Sequence, residues 1–533
     1  MNPFLSEYTT PFGVPPFDLI QFEHFAPAFE AGFAQQVQEY DTIENNPAPA
    51  TFENTVEALE RSGAVLARVA RVFYSLLGTD STEELSALAK DIGAQMASHR
   101  NRLYLSQKMS QRIYDLHENP SENWSEEQYR LVEELHRRFA RSGVQLEEGK
   151  RARLSSLDEQ LATLSSEYRD NMLAENNAST VLIAHAKELD GVPNALIDAA
   201  AALAQQEGVE GWLFKANRVT LYPFLTSATN RSYREQMYTA YLNRGRRGNE
   251  QDNCPIAEKI ATLRLDKANI LGAPNYAAYV LQDSMAKSPE QVLSFLDKIW
   301  EAAIERANQE ASLLEDKMHR DGVEGSLQPW DWWYYAEQVR TEKFDFREED
   351  VKPYFSTDGV LKGAFAVASR LFKIQFAENS SLPTYHPDVR TFEVLDESGE
   401  QVVGILYIDY YARPSKRGGA WMSSFQVQHR LDAETLPIVI NVCNFPPPTD
   451  EKPSLLSSGH VKTLFHELGH ALHGLLSSVE YPSLSGTSVV RDYVEFPSQL
   501  MENWGRDPEV VTQYALHYQT KEPIPLHLMD KMV

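Results

Sequence analysis

From Phe52 to about Asn176 the chain carries a helical hydrophobic pattern, and that run limits the folds open to it. In "TFENTVEALERSGAVLARVARVFYSLLG" the apolar residues Val56, Leu59, Val65, Leu66 and Val69 recur close to every 3.6 residues. Thr51 followed by Asn54 resembles a helix start, short of a full capping box. The stretch "EEQYRLVEELHRRFARSGVQLEEGKRARLSSLDEQLATLSSEYRDNML" reads as one or two long amphipathic helices. Its apolar stripes lack a strict heptad, so antiparallel packing inside the chain is expected rather than a coiled coil with a partner.

Beyond that run the texture changes. "STVLIA" and "GWLFKAN" predict short strands around a helix over Ala195–Gln205, and more helices follow from Ser232 to about Asp321. "SLQPWDWWYYAEQVR" gathers three tryptophans and two tyrosines, a cluster that more often builds core than lines a ligand groove. Residues 391–445 read as strands. "TFEVLD", a turn at "ESGE" and "QVVGILYIDYY" give a hairpin signal, and "GGAWMSSFQVQ" and "LPIVINVCNF" continue the sheet. "FPPPTDEKPSLLSSG" breaks regular structure. Residues 1–30, rich in proline and aromatics, are expected to lie extended over the surface. The chain has no short-period repeat and no low-complexity tail.

The expected fold class is therefore mainly α with a small sheet. At 533 residues the chain is long enough for two or more packed units. The expected division is 1–210, mostly helical, and 211–533. Lys and Arg number 50 against 76 Asp and Glu, a net charge of −26. So acidic a surface repels phosphate backbones, which argues against nucleic-acid partners. The two cysteines, Cys254 and Cys443, exclude a disulfide framework and a thiolate zinc cluster. Two buried free thiols and a reducing compartment are expected. The N-terminus shows no signal-peptide pattern, and no run of about 18 apolar residues offers a membrane span. The expected location is cytoplasmic, or periplasmic had a signal been removed.

"TLFHELGHALHG", Thr463 to Gly474, sets three histidines and a glutamate inside an apolar run. Read as a helix from Val461 to Leu476, it places Val461, Leu464, Phe465, Leu468, Leu472, Leu475 and Leu476 on one broad apolar stripe. His466 and His470 are four apart and stack on another face. There two imidazole nitrogens can converge on one ion at about 2.0–2.1 Å. Glu467 points about 100° away around the helix. It can reach a water on that ion without ligating it, the physical content of the H-E-x-x-H pattern. Gly469 lets another backbone or a substrate come close. Burying two histidines and a glutamate without a partner is costly, and a metal answers that cost.

A catalytic zinc wants a third protein ligand and an open position. Downstream candidates are His473, Glu480, Asp492, Glu495 and Glu502. His473 lies about two turns from His466, too far to share the ion, and reads as a supporting or structural residue. "SVVRDYVEFPSQLMENW" reads as a second helix. Val489, Val490, Tyr493, Val494, Pro497, Leu500, Met501 and Trp504 form its apolar face, with Asp492, Glu495, Gln499 and Glu502 opposite. Pro497 would kink it or limit its regularity.

"FHELGHALHG" followed by "SGTSVVRDYVEFPSQLMENW" resembles the thimet oligopeptidase and peptidyl-dipeptidase family of zinc metallopeptidases. That family carries F-H-E-F-G-H and then a glutamate in an R-D-x-V-E-x-P-S-Q run. Leu468 stands here where phenylalanine is usual. "NPFL…PFGVPPFDLI", "LQPWDWWYYAEQVR", "DYYARPSKRGGAWMSSFQVQ" and "NVCNFPPP" resemble family segments too, so the resemblance covers most of the chain. "SKRGGAWMSSF" and "RDYVEFPSQ" look closer to the bacterial peptidyl-dipeptidase (dipeptidyl carboxypeptidase) branch than to the oligopeptidase A branch. The resemblance selects Glu495 as third ligand beside His466 and His470, where spacing alone left Glu480, Asp492, Glu495 and Glu502 open.

What the resemblance implies is zinc-dependent hydrolysis of short peptides by one Zn2+ ion. Glu467 is the general base toward the metal-activated water. Asp492, Glu502 and His473 are candidate orienting residues. Gly418, Gly419 and Ala420 in "RGGAWMSSF" are candidate substrate-binding positions, where an edge strand would pair with an extended peptide. The implied fold is a two-lobed, predominantly helical zincin-type peptidase with a deep channel, in which 211–533 is the catalytic region. Peptide substrates, no membrane or nucleic-acid partner and a monomeric state are expected. Family members also run on past this chain's last residue, into a tyrosine-rich G-Y-x-x-x-Y-Y-like loop. Without those oxyanion donors the expectation is a truncated, poorly active chain. An endo-acting oligopeptidase and an inactive zinc- or peptide-binding fragment are the alternatives.

Overall fold

Gly143 divides the long helical run. It holds φ +78°, the left-handed cap that ends a helix over Glu126–Ser142, and a 31-residue helix over Glu148–Ala178 follows. The computed structural model describes residues 2–344 and 348–529. Contacts within it separate two units, Glu147–Arg347 and the discontinuous Met1–Leu146 with Glu348–Val533. This division by contacts is of a different kind from the 210/211 boundary drawn on sequence texture. The fold is mainly helical with two small sheets. No helix among the described residues is long and apolar enough to cross a membrane.

In the unit Glu147–Arg347, strands β1 (Thr180–Ile183) and β2 (Trp212–Lys215) pair antiparallel around a helix over Asn194–Gln206, as the sequence predicts. The helix Glu148–Ala178 packs on the helix Cys254–Ile270 through Leu157, Leu164, Ile256 and Leu263. The tryptophan-rich segment divides. Tyr335 is buried with Leu314 and Met318, whereas Trp333 is 41% exposed. Cys254 is exposed and only Cys443 is buried, which corrects the expectation of two buried thiols.

The second unit is built on a five-stranded sheet in the order β3-β4-β5-β7-β6. The strands are β3 (Gln375–Glu378), β4 (Arg390–Leu395), β5 (Val402–Tyr411), β6 (Trp421–Gln426) and β7 (Ile438–Phe445). β4 and β5 form the predicted hairpin, β5 and β7 run parallel, and β6 lies antiparallel to β7 at one edge. β5 and β7 read as near-continuous apolar runs because both sheet faces are covered. Ile405, Tyr407, Ile438, Ile440 and Val442 join a cluster with α1 (Phe25–Glu44) and α2 (Ala64–Thr79). The alternate residues face α3 (Ser458–Leu475). A Cβ at Gly404 would stand 2.8 Å from Leu475 Cδ2, and one at Gly474 would stand 3.1 Å from Val439 Cγ2. At the other end of α3 the His460 ring is 5.3 Å from that of Phe445, so α3 runs antiparallel to β7.

The N-terminal segment corrects the sequence reading. It does not lie extended over the surface: Phe4 and Val14 are fully buried, and they join Phe17, Phe25, Phe29 and Phe73 in the core. Burying each such ring is worth about 1.5–3 kcal/mol, and that draws an aromatic-rich segment inward despite its prolines. In "EPIPLHLMDKMV" a helical turn spans Leu526–Met529, and residues 530–533 lie outside the described residues.

Candidate metal centre

α3 starts where Ser457 Oγ accepts the His460 N–H at 3.1 Å. Its apolar stripe is buried as predicted at Val461, Leu464, Phe465, Leu468, Leu472 and Leu475. The second helix is shorter than its sequence suggests. α4 covers only Glu495–Glu502, and residues 487–494 are irregular. Pro497 is the third residue of α4, where its missing N–H has no intrahelical acceptor to lose. The proline therefore fixes the helix start and does not kink it. The expected apolar face is covered only in part: Met501 is buried, Val489, Tyr493 and Leu500 are exposed, and Ser498, from outside that face, is buried.

Gly469 brings the two helices together. A Cβ there would stand 2.6 Å from Ser498 Cα and 2.7 Å from Pro497 O. With hydrogen in its place, the first turn of α4 lies directly against α3. Glu495 Oε2 consequently sits 3.2 Å from His466 Nε2 and 3.2 Å from His470 Nε2. Ser498 Oγ donates to the same oxygen at 2.9 Å and fixes its rotamer. On the far side of His466, Nδ1 meets Glu502 Oε1 at 2.8 Å, and Lys462 Nζ holds the other Glu502 oxygen at 3.0 Å. That carboxylate–imidazole contact sets the tautomer that turns Nε2 toward Glu495 as a lone pair.

The electrostatics differ around the pair. Glu467 is 5% exposed; burial, then the charge of Glu495, push its carboxyl up to about 7. Burial pulls His470 below the usual imidazole value against the pull of Glu495. Neutral imidazole is the form that ligates metal. Glu502 is held below the usual carboxylate range because Lys462 and His466 outweigh its burial. Among the described residues, Glu467 Oε2 and His470 Nδ1 are buried without a hydrogen-bond partner.

Two imidazole nitrogens and a carboxylate oxygen within 4.8 Å of one another are a zinc-type donor set, and three protein donors leave a position open. Two imidazole nitrogens directed at one anionic oxygen leave a place for a shared positive charge, which a divalent cation supplies. The residues present thus fit a metal ion.

The other sequence candidates fall outside this group. His473 is half-buried with its ring 6.3 Å from that of Tyr493. Glu480 reaches Arg430 at 3.7 Å, and its N–H donates to Glu127 Oε2. Asp492 is exposed in the turn before α4 rather than one helical face from Glu495. Gly418, Gly419 and Ala420 form the bend that leads into the edge strand β6. Gly419 has φ +101°, and open space surrounds both glycines. Sequence reasoning missed Lys462 and Ser498. Their one signal was spacing, four residues before His466 and three after Glu495.

Residues 224–533 match the sequence profile of the family described as Peptidase family M3. The chain is 39% identical over 535 residues to "Dipeptidyl carboxypeptidase" of Escherichia coli (strain K12), covering 100% of this chain and 78% of that protein. It is 34% identical over 541 residues to "Oligopeptidase A" of Salmonella typhimurium, covering 100% of this chain and 79% of that protein. A solved structure titled "PZ PEPTIDASE A with inhibitor 2" aligns with 97% of this chain and 72% of its own, at 14% identity and a TM-score of 0.46.

Proposed function

The chain belongs to peptidase family M3 and is a metallopeptidase, and from that premise we propose that it uses one zinc ion to release dipeptides from the C-termini of short peptides. The observation that carries the reading is the single Glu495 oxygen equidistant from two histidine nitrogens. His466, His470 and Glu495 would hold the ion, with Glu502, Lys462 and Ser498 keeping them in place. A bound zinc ion supplies Lewis acidity toward a water and toward the scissile carbonyl.

The remaining chemistry belongs to the chain. Glu467 neighbours the ligands, is buried, and has its carboxyl pushed up to about 7. A carboxyl tuned to that range accepts a proton from the attacking water and returns it to the leaving amine near neutral pH. β6 ends the sheet order, so among the described residues its outer edge pairs with no strand and could take an extended peptide. A two-lobed shape with a deep channel, as the resemblance implies, would restrict substrates to short unfolded peptides. A cytoplasmic monomer completes the reading.

The higher identity to a dipeptidyl carboxypeptidase than to an oligopeptidase A favours exo over endo cleavage. Mass spectrometry of products from a free-ended decapeptide, with and without a chelator, tests this. Successive losses of C-terminal dipeptides that stop with the chelator are expected. Internal fragments would establish the oligopeptidase alternative, and no products would support the zinc- or peptide-binding fragment.

A further inference from the structure

A peptidase that removes dipeptides from any sequence needs a cation at the far end of its substrate, because the free carboxylate is the feature all its substrates share. The segment "ARPSKRGGAW" between β5 and β6 carries three cations. Two are neutralised: Arg413 and Lys416 both bind the buried carboxylate of Asp409. Arg417 has no carboxylate partner among the described residues and is exposed. Its guanidinium carbon lies 4.4 Å from the centre of the Trp421 ring. That ring is lodged against Gly78 of α2, where a Cβ would stand 3.2 Å from it. The Arg417 N–H donates to Gly78 O at 2.8 Å, and Asn444 Nδ2 donates to the carbonyls of Arg417 and Gly419. The bend is thus fixed on both sides while the charge of Arg417 stays available.

Its position along β6 follows from the register. α3 is antiparallel to β7, so it runs parallel to β6. Starting from the His460–Phe445 contact, His466 and His470 lie about 9 and 15 Å along the helix axis. At about 3.3 Å per strand residue, those lengths end between Val442 and Ile440 on β7. The β6 partners of that stretch are Trp421 to Ser423. A peptide added to the free edge of β6 in the antiparallel sense, which β6 already keeps with β7, sends its C-terminal end from that level toward Gly418. Two residues past the scissile bond, about 7 Å, place its carboxylate at the Gly418–Ala420 bend, beside the guanidinium held on Trp421.

We propose that Arg417, stacked on Trp421, binds the C-terminal carboxylate of the substrate and so selects peptides with a free C-terminus. This rests on the peptidyl-dipeptidase reading above. The test compares one hexapeptide as free acid and as C-terminal amide, cleaved by the zinc-loaded chain and its Arg417→Gln and Arg417→Lys variants. The unsubstituted chain should prefer the acid. Arg417→Gln should lower kcat/KM for the acid by about 10- to 100-fold, chiefly through KM, the range for a lost charge-assisted contact. The acid-to-amide preference should collapse with it, and Arg417→Lys should restore part of both. An Arg417→Gln variant that keeps the full preference overturns the role of Arg417 and leaves the peptidyl-dipeptidase reading standing. An unsubstituted chain that cleaves both forms equally overturns that reading, and the carboxylate role with it. Calorimetric binding of the two peptides to Glu467→Gln, alone and combined with Arg417→Gln, needs no turnover. A 10- to 100-fold weaker hold on the acid alone is expected, and equal binding of the acid by both proteins overturns the proposal.

Discussion

The Asp409 cluster and the His466–His470–Glu495 cluster both gather ionisable groups in one unit of the fold, the first at the end of β5 and the second where α3 meets α4. At Asp409 both carboxylate oxygens are matched by cations. One carboxylate oxygen accepts from Lys416 and Arg413, and the other from Arg413 and Tyr385, at 2.5–2.8 Å. Lys416 spends its other two donors on the carbonyls of Asp409 and Tyr411. Burial alone would raise the Asp409 carboxyl, but the two cations hold it below its ordinary value. At the metal centre the count comes out short. Among the described residues Glu495 faces two imidazoles and a hydroxyl but no cation, and Glu467 Oε2 and His470 Nδ1 are buried without partners. A cluster whose carboxylate is matched by cations holds the fold, and a cluster lacking one positive charge is built to receive it.

Substitutions can break that contrast. Glu495→Ala removes the oxygen both histidines face, so most bound zinc and all zinc-dependent hydrolysis should go, as read by atomic absorption and peptide assay. Retained zinc would remove Glu495 from the ligand set. Glu467→Gln should separate binding from chemistry: zinc content stays, while kcat falls by about 100- to 10,000-fold, the range for a lost general base. Residual turnover near the original rate would remove Glu467 from that role.

The Asp409 cluster should respond in the opposite way, through stability. Asp409→Asn leaves Lys416 and Arg413 buried without their anion and should cost about 3–5 kcal/mol in denaturant unfolding. Because the Asp409 carboxyl is depressed on folding, its contribution is complete above the ordinary carboxylate value of about 4 and is lost as pH falls through the lowered one. The unsubstituted chain should lose stability across that acid range more steeply than the variant. Gly469→Ala should have the smallest effect, about 1–3 kcal/mol of overpacking, with zinc binding weakened as α4 is pushed from α3. Unchanged zinc affinity there would show that the helix crossing tolerates more slack than the 2.6 Å approach allows.

Local pattern accounts for the elements the sequence revealed. His466, Glu467 and His470 share one helix, so a 3.6-residue period fixes their relation before any packing occurs. The hairpin of β4 and β5 and the pair β1–β2 were legible for the same reason, since alternation and turn residues act over a few positions. β3 was missed because "QFAE" at Gln375–Glu378 lacks the run of apolar residues that marks the equally short "TVLI" and "WLFK" of β1 and β2. The extent of α4 was misread because "SVVRDYVEFPSQLMENW" has helical spacing throughout, while Pro497 settles in its first turn and the preceding residues stay irregular.

By itself, then, the sequence determined two histidines and a glutamate on one helix, a mainly helical chain, and a short set of candidates for the third ligand. Only the tertiary structure brought Glu495 Oε2 to both imidazoles, through the space left at Gly469. It likewise paired Glu502 with His466 and, among the described residues, left Arg417 without a carboxylate. Helical period is written into consecutive residues. Which carboxylate meets which imidazole depends on how closely two helices far apart in sequence pack, and that is decided when the core closes around them.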